Sequence, residues 1–125
     1  MIHYHLDGSN MSAVAVEIEV GTQRIVKRTR LADGSLAEDA IAVKRSWKFS
    51  YSDLPGATAN VIDAGLGRDA IKSSYTTGGV KTLTVPLEGG GTEAVSVMFA
   101  EQFSEKRVLG TPFWRWDLSF TLDEV

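Results

Sequence analysis

Hydrophobic and polar residues alternate along most of the chain. In Met11–Val20, Val14, Val16, Ile18 and Val20 fall on one side and Ala13, Ala15, Glu17 and Glu19 on the other, the period of two that marks a half-buried strand. Gly21 interrupts it, and Thr22–Leu31 reads as a second, more basic strand ending at the turn Ala32-Asp33-Gly34-Ser35, whose Asp-Gly pair tolerates the backbone of a tight reversal. Residues 35–40 fit no template. Ile41–Ser52 places Ile41, Val43, Trp47, Phe49 and Tyr51 on one face together with Arg45, whose stem is expected to pack while its head reaches an edge or a partner. Pro55 and Gly56 end that strand, because proline donates no ladder hydrogen bond.

One stretch changes period. Leu66, Ala70, Ile71 and Tyr75 recur at helical spacing, which predicts a single helix near residues 63–76, capped by Asn60 or Asp63 and stopped by Gly78 and Gly79. Beyond it, Val80–Leu87 and Glu93–Phe99 alternate again around the Gly-rich connection of residues 88–92. Ala100–Thr111 is looser. Phe113–Leu122 closes the pattern, with Trp114, Trp116, Leu118, Phe120 and Leu122 directed inward. About six to eight short strands and one helix predict a mainly β domain over residues 1–125, a two-sheet β-sandwich or flattened barrel with the helix on its flank.

Composition narrows the classes. The chain has 125 residues with 13 basic and 16 acidic side chains and a net charge of −3, without the basic surplus of a nucleic-acid binder. It contains no cysteine, which excludes disulfides, thiolate metal sites and a cysteine nucleophile. No apolar run approaches the ~18 residues of a membrane span, and Met1–Asp7 has no signal-peptide pattern, so synthesis in the cytoplasm without cleaved-signal export and no membrane partner are expected.

Motifs that carry chemistry are weak. Gly65-Leu66-Gly67-Arg68-Asp69-Ala70 matches G-x-G-x-x-A, but no credible strand precedes it and no parallel strand follows, so close packing of a helix is the better account. His3 and His5, with Asp7 nearby, have the spacing of paired imidazole ligands but lack the three or four ligands of a zinc site. They are also the only histidines. The carboxylate pairs Glu17/Glu19 and Asp123/Glu124 read as solvated charge rather than a glycosidase pair. No G-x-S-x-G elbow exists. An aromatic group of Trp47, Phe49, Tyr51, Trp114 and Trp116 suggests either a core or a sugar-stacking platform. No catalysis and no cofactor or metal are expected.

Charge is distributed unevenly. Residues 1–20 hold three acids and no base, residues 21–48 seven bases against three acids, and residues 86–125 seven acids against three bases. Opposite surfaces on one small domain favour head-to-tail association between copies; pairing of the same stretches within one sheet is the alternative. Arg24, Arg28, Arg30, Arg45, Glu101, Glu105 and Arg107 are the candidate interface residues.

The runs RSWKFSYSDLPG (Arg45–Gly56), IDAGLGRDAIKSSY (Ile62–Tyr75), GGTEAVSVMFAEQFSE (Gly90–Glu105) and WRWDLSFTLDEV (Trp114–Val125) resemble small structural proteins of tailed-bacteriophage virions. Tail-tube, distal-tail and connector proteins and the similar type VI secretion tubes are β-sandwiches flanked by a helix, commonly assembled as hexameric rings. The resemblance implies a non-enzymatic virion protein that self-associates into a ring with other tail proteins as partners. If a lumen exists, Glu101, Glu105 and Asp117 are candidates to line it, an acidic surface letting DNA pass without sticking. Ala32–Ala40 and Ala100–Thr111 are the candidates for the extended arms that link such rings. A monomeric carbohydrate-binding or capsid-decoration module is the alternative.

Overall fold

A computed structural model of the chain describes residues 3–108 and 114–125, with all their side chains except those of 25–28 and 36–41. Seven strands run β1 (His5–Leu6), β2 (Ser9–Asn10), β3 (Val16–Arg30), β4 (Leu36–Pro55), β5 (Lys81–Pro86), β6 (Thr92–Val108) and β7 (Arg115–Glu124), with the helix α1 (Arg68–Thr77) between β4 and β5. They form one sheet in the order β2-β1-β5-β6-β7-β4-β3, and every pairing between these strands is antiparallel. Among the described residues the chain is thus mainly β with one α-helix, consistent with the expected sandwich or flattened barrel.

The sheet curls until its parts face one another. Tyr4, just before β1, meets Phe49 of β4 edge-on with ring centroids 5.5 Å apart. In a flat sheet β1 and β4, four places apart, would be separated by about 19 Å at the usual ~4.8 Å spacing. The Tyr51 hydroxyl likewise donates to the Ser12 carbonyl at 2.9 Å. Two bulges allow the bend. From Tyr51 to Leu54 three steps on β4 oppose two on β7, and from Phe99 to Phe103 four steps on β6 oppose two on β7. The first bulge reverses parity, which is how Tyr51 and Leu54 both reach the core.

That core contains Leu6, Met11, Trp47, Phe49, Tyr51, Ile71, Leu83, Val97, Leu118, Phe120 and Leu122. Phe49, Phe120 and Phe103 stack through it, with centroids 5.3 and 5.7 Å apart. Inward placement fails at the ends of the predicted runs. Trp114 and Leu87 are exposed because each lies beyond its strand's paired residues, Val14 precedes β3, and Val20 and Val43 lie where the ladder leaves the body. Ala100–Val108, expected to be loose, belongs to β6 and pairs with β7 again from Phe103; Glu101, Glu105 and Arg107 at alternate positions hide its period. Residues 109–113, which include the start of the last predicted strand, lie outside the described residues.

The helix starts at Arg68, later than expected. Asp63 is tied elsewhere: its carboxylate accepts hydrogen bonds from the Ala13 and Gly65 amides at 2.9 and 3.1 Å and from the Ser12 hydroxyl at 3.3 Å. The N-cap is Gly67, with no side-chain cap. A Cβ on Gly65 would collide with the Ser12 backbone, and one on Gly67 with the backbone of residues 56–58. The two glycines of the G-x-G motif therefore serve close backbone approach, with a 3-10 turn and loop before the helix instead of a strand.

Candidate assembly surface

The longest feature outside the core is the β3–β4 hairpin. β7 pairs with β4 only from Ser46 onward, whereas β3 and β4 remain paired from Thr22↔Arg45 to Arg30↔Leu36. A two-stranded ribbon roughly 30 Å long, at ~3.3 Å per residue, thus runs past the sheet. None of its described residues is buried. Among the described residues no third strand pairs with either side of it, and an isolated hairpin is only marginally stable in water. The ribbon extends well beyond Ala32–Ala40, the sequence-derived arm candidate. Ala100–Val108 is part of the body sheet, and residues 109–111 are not described.

A charge clamp fixes the root of this arm. Arg45 donates to Glu93 at 2.7 Å and to Glu124 at 3.3 Å, its backbone amide donates to Glu124 at 2.9 Å, and Lys44 donates to the Val125 carbonyl at 2.7 Å. The guanidinium also lies over Trp47, 5.2 Å from the ring centroid. Hydrogen bonds from the Arg45 side chain and then its amide hold the Glu124 carboxyl below its ordinary value. Gly21 faces Ser46 here, too close to accommodate a Cβ without movement of the hydroxyl.

At the tip, the Asp33 carboxylate accepts from both the amide and the hydroxyl of Ser35 at 2.9 and 2.6 Å, and Arg30 donates to the Gly34 carbonyl at 2.8 Å. Such an Asx turn orders a reversal without any core beneath it. Leu31 stands 51% exposed beside it. Arg24 is also on the arm and exposed. Arg28 lies opposite Glu38 in the ladder, and Lys27 opposite Asp39; the Arg28 side chain is outside the described set.

The acidic candidates lie on the body. Glu105 accepts two hydrogen bonds from Arg68, at 2.9 and 3.0 Å, and one from Lys72 at 2.6 Å, joining α1 to β6. Arg68 is stacked 3.8 Å from the Trp116 ring centroid. The Arg68 bonds outweigh burial and hold the Glu105 carboxyl below its usual range. Glu101 is exposed in the β6 bulge, and its carbonyl accepts from Tyr75. Glu105 is paired with the buried Leu118, whereas Asp117 is paired with Lys106 and accepts from the Asp53 amide at 3.0 Å. Glu105 and Asp117 therefore lie on opposite faces of the β6–β7 ribbon. The three lumen candidates do not share one face. Arg107, far from the arm, stacks on Trp114 at 4.1 Å.

The other motifs find structural places. His3 Nδ1 is 2.8 Å from the Met11 carbonyl and 3.8 Å from Asp63, and His5 lies on β1 opposite Asn10 and Thr84. Among the described residues no group of three His, Cys, Asp or Glu side chains is placed to hold a metal. Trp47, Phe49 and Tyr51 are buried, which leaves Trp114 as the exposed member of the aromatic group. No helix among the described residues is long and apolar enough to cross a membrane. The Arg45 head reaches an edge as expected, on Glu93 and Glu124, whereas the Arg68–Glu105–Lys72 bridge was not foreseen; the i, i+4 spacing of Arg68 and Lys72, which puts both on one helix face, was the available signal. No protein-family model matches the chain, and no curated protein matches it.

Proposed function

We propose that this chain is a non-enzymatic structural protein of a tailed-phage virion, a tail component of tube, distal-tail or connector type that self-associates into a ring. The observation that carries the reading is the arm: a ribbon flanked by no third strand among the described residues, with exposed Val43 and Leu31 and none of its described side chains buried. Such a ribbon gains its stabilisation from a neighbour, because main-chain groups on a free edge pair readily with another strand. The β-rich body with one helix suits the same role, as does the contrast between a basic arm and acidic β6 and β7. Other tail proteins are the expected further partners.

Sedimentation velocity and negative-stain microscopy test the proposal together. The intact protein is expected to form concentration-dependent closed particles, and a variant in which residues 24–42 are replaced by a two-residue turn is expected to lose them. A single monomer at every concentration would defeat the reading and leave the carbohydrate-binding alternative, tested with Trp114→Ala against a glycan panel.

A further inference from the structure

The second prominent surface feature lies at the opposite end of β4. A cleft of about 390 Å³ opens beside the β4–β7 bulge, with Val14, Leu54, Pro55, Val61 and Ile62 supplying its apolar walls. This volume falls within the ~300–1,000 Å³ that seats a ligand or a group of side chains. Ile62 is 88% exposed and Val14 39%, so apolar surface is open to solvent at the mouth. Ala15 and Asp53, also in the lining, have φ of 52° and 56°. Non-glycine residues seldom adopt this left-handed conformation, which clusters where a surface is shaped for contact. Arg115 and Asp53 provide one charge of each sign.

The hairpin tip has the complementary set. Leu31 offers an exposed apolar side chain, Asp33 a carboxylate held by the Ser35 amide and hydroxyl, and Arg30 a guanidinium two residues before the reversal. The tip cannot fill the cleft of its own chain. From Leu36 to Ser52 the strand covers roughly 50 Å at ~3.3 Å per residue, and the two features lie at its opposite ends.

We propose that the cleft beside Ala15 and Asp53 receives the hairpin tip of a second copy of this chain, with Leu31 against the apolar walls, Asp33 facing Arg115 and Arg30 facing Asp53. Because the donor tip and the acceptor cleft are different surfaces, the contact is head-to-tail and propagates from copy to copy. The inference rests on the self-association proposed above and names the partner surface for its arm.

The absence of cysteine allows a direct test. In a Leu31→Cys, Ile62→Cys double variant, both positions are exposed in the single chain. At concentrations where the protein associates, a short bis-maleimide is expected to give a ladder of covalent multimers on a denaturing gel, while each single variant stops at dimers. Leu31→Asp is expected to raise at least tenfold the concentration needed for large species, with an unchanged melting temperature. Association without a ladder, or Leu31→Asp assembling like the parent, would overturn the tip-to-cleft contact while leaving self-association intact. A double variant and parent that both remain monomeric would remove self-association itself, and the contact with it.

Discussion

Asp63 shows how one side chain holds two distant segments. It accepts from Ser12, Ala13 and Gly65, so the strap preceding β3 and the loop preceding α1 share one acceptor. Burial opposes its charge, but the two amides and the hydroxyl outweigh it and keep the carboxyl below its ordinary value. Removing the acceptor leaves partly buried donors unpaired, so Asp63→Ala is expected to lose about 1–3 kcal/mol in urea unfolding. The depressed folded-state value also sets a pH dependence. A carboxyl that is easier to ionise folded than unfolded contributes stability above its unfolded pKa, about 4, and loses it as pH falls through the folded value. Asp63 and Glu105 both behave this way, so parent stability should fall below about pH 4, and Asp63→Ala should show a shallower acid limb. Gly65 is another single-residue constraint. Its added methyl would meet Ser12 backbone that cannot swing aside, so Gly65→Ala should cost at least ~1–3 kcal/mol in thermal unfolding, whereas Gly89→Ala, with open space around it, should be close to neutral.

At the element scale, α1 rests on two stripes. Ile71 is fully buried in the core and the Tyr75 ring packs on β6, with centroids 5.6 and 4.9 Å from Phe99 and Phe103, while Arg68 and Lys72 converge on Glu105. The two cations differ in weight. Arg68 is mostly buried, bidentate and stacked on Trp116, so Arg68→Ala should cost about 1–3 kcal/mol. Lys72 is more exposed, and Lys72→Ala should cost no more than ~1 kcal/mol. Equal losses in urea unfolding would contradict this division. Alternation made β5, β7 and the body portions of β3 and β4 legible in the sequence, and helical spacing located α1. β3 nevertheless runs unbroken through Gly21, where two strands were expected to part, and β4 already begins at Leu36, within residues that fit no template. The β6 extension was hidden because Glu101, Glu105 and Arg107 occupy the same alternate positions as Phe99 and Phe103, so no apolar period marks a segment that is nevertheless paired. β1 and β2, two residues each, are too short to carry a period. The Asx turn at Asp33 was readable from its residue types, but whether a ribbon lies in the sheet or projects from it depends on where β7 stops pairing, and no local pattern encodes that.

For the whole molecule, the separation of core from arm gives the clearest expectation. The described buried residues all lie outside positions 13–46, so replacing residues 24–42 by a tight turn should leave the melting temperature of the body within a few degrees. If that variant instead unfolds, the arm contributes to the body's stability and the division into body and arm is incorrect. The charge candidates show the same dependence on overall shape. Sequence identified acids on β6 and β7 as a set, but strand pleating assigns Glu105 and Asp117 to opposite sides, a distinction that requires the register with Leu118 and Lys106.

The sheet order has a temporal consequence. β7 is the latest of the seven strands to leave the ribosome, yet it occupies the middle of the sheet, with β6 on one side and β4 on the other. Until it arrives, β3–β4 and β2–β1–β5–β6 are two halves with no strand between them, and the aromatic face of Trp47, Phe49 and Tyr51 lacks its neighbours Leu118, Phe120 and Leu122. Folding must therefore wait until Arg115–Glu124 have emerged, and polypeptides released before residue 115 would expose raw apolar surface that cellular proteases can recognise.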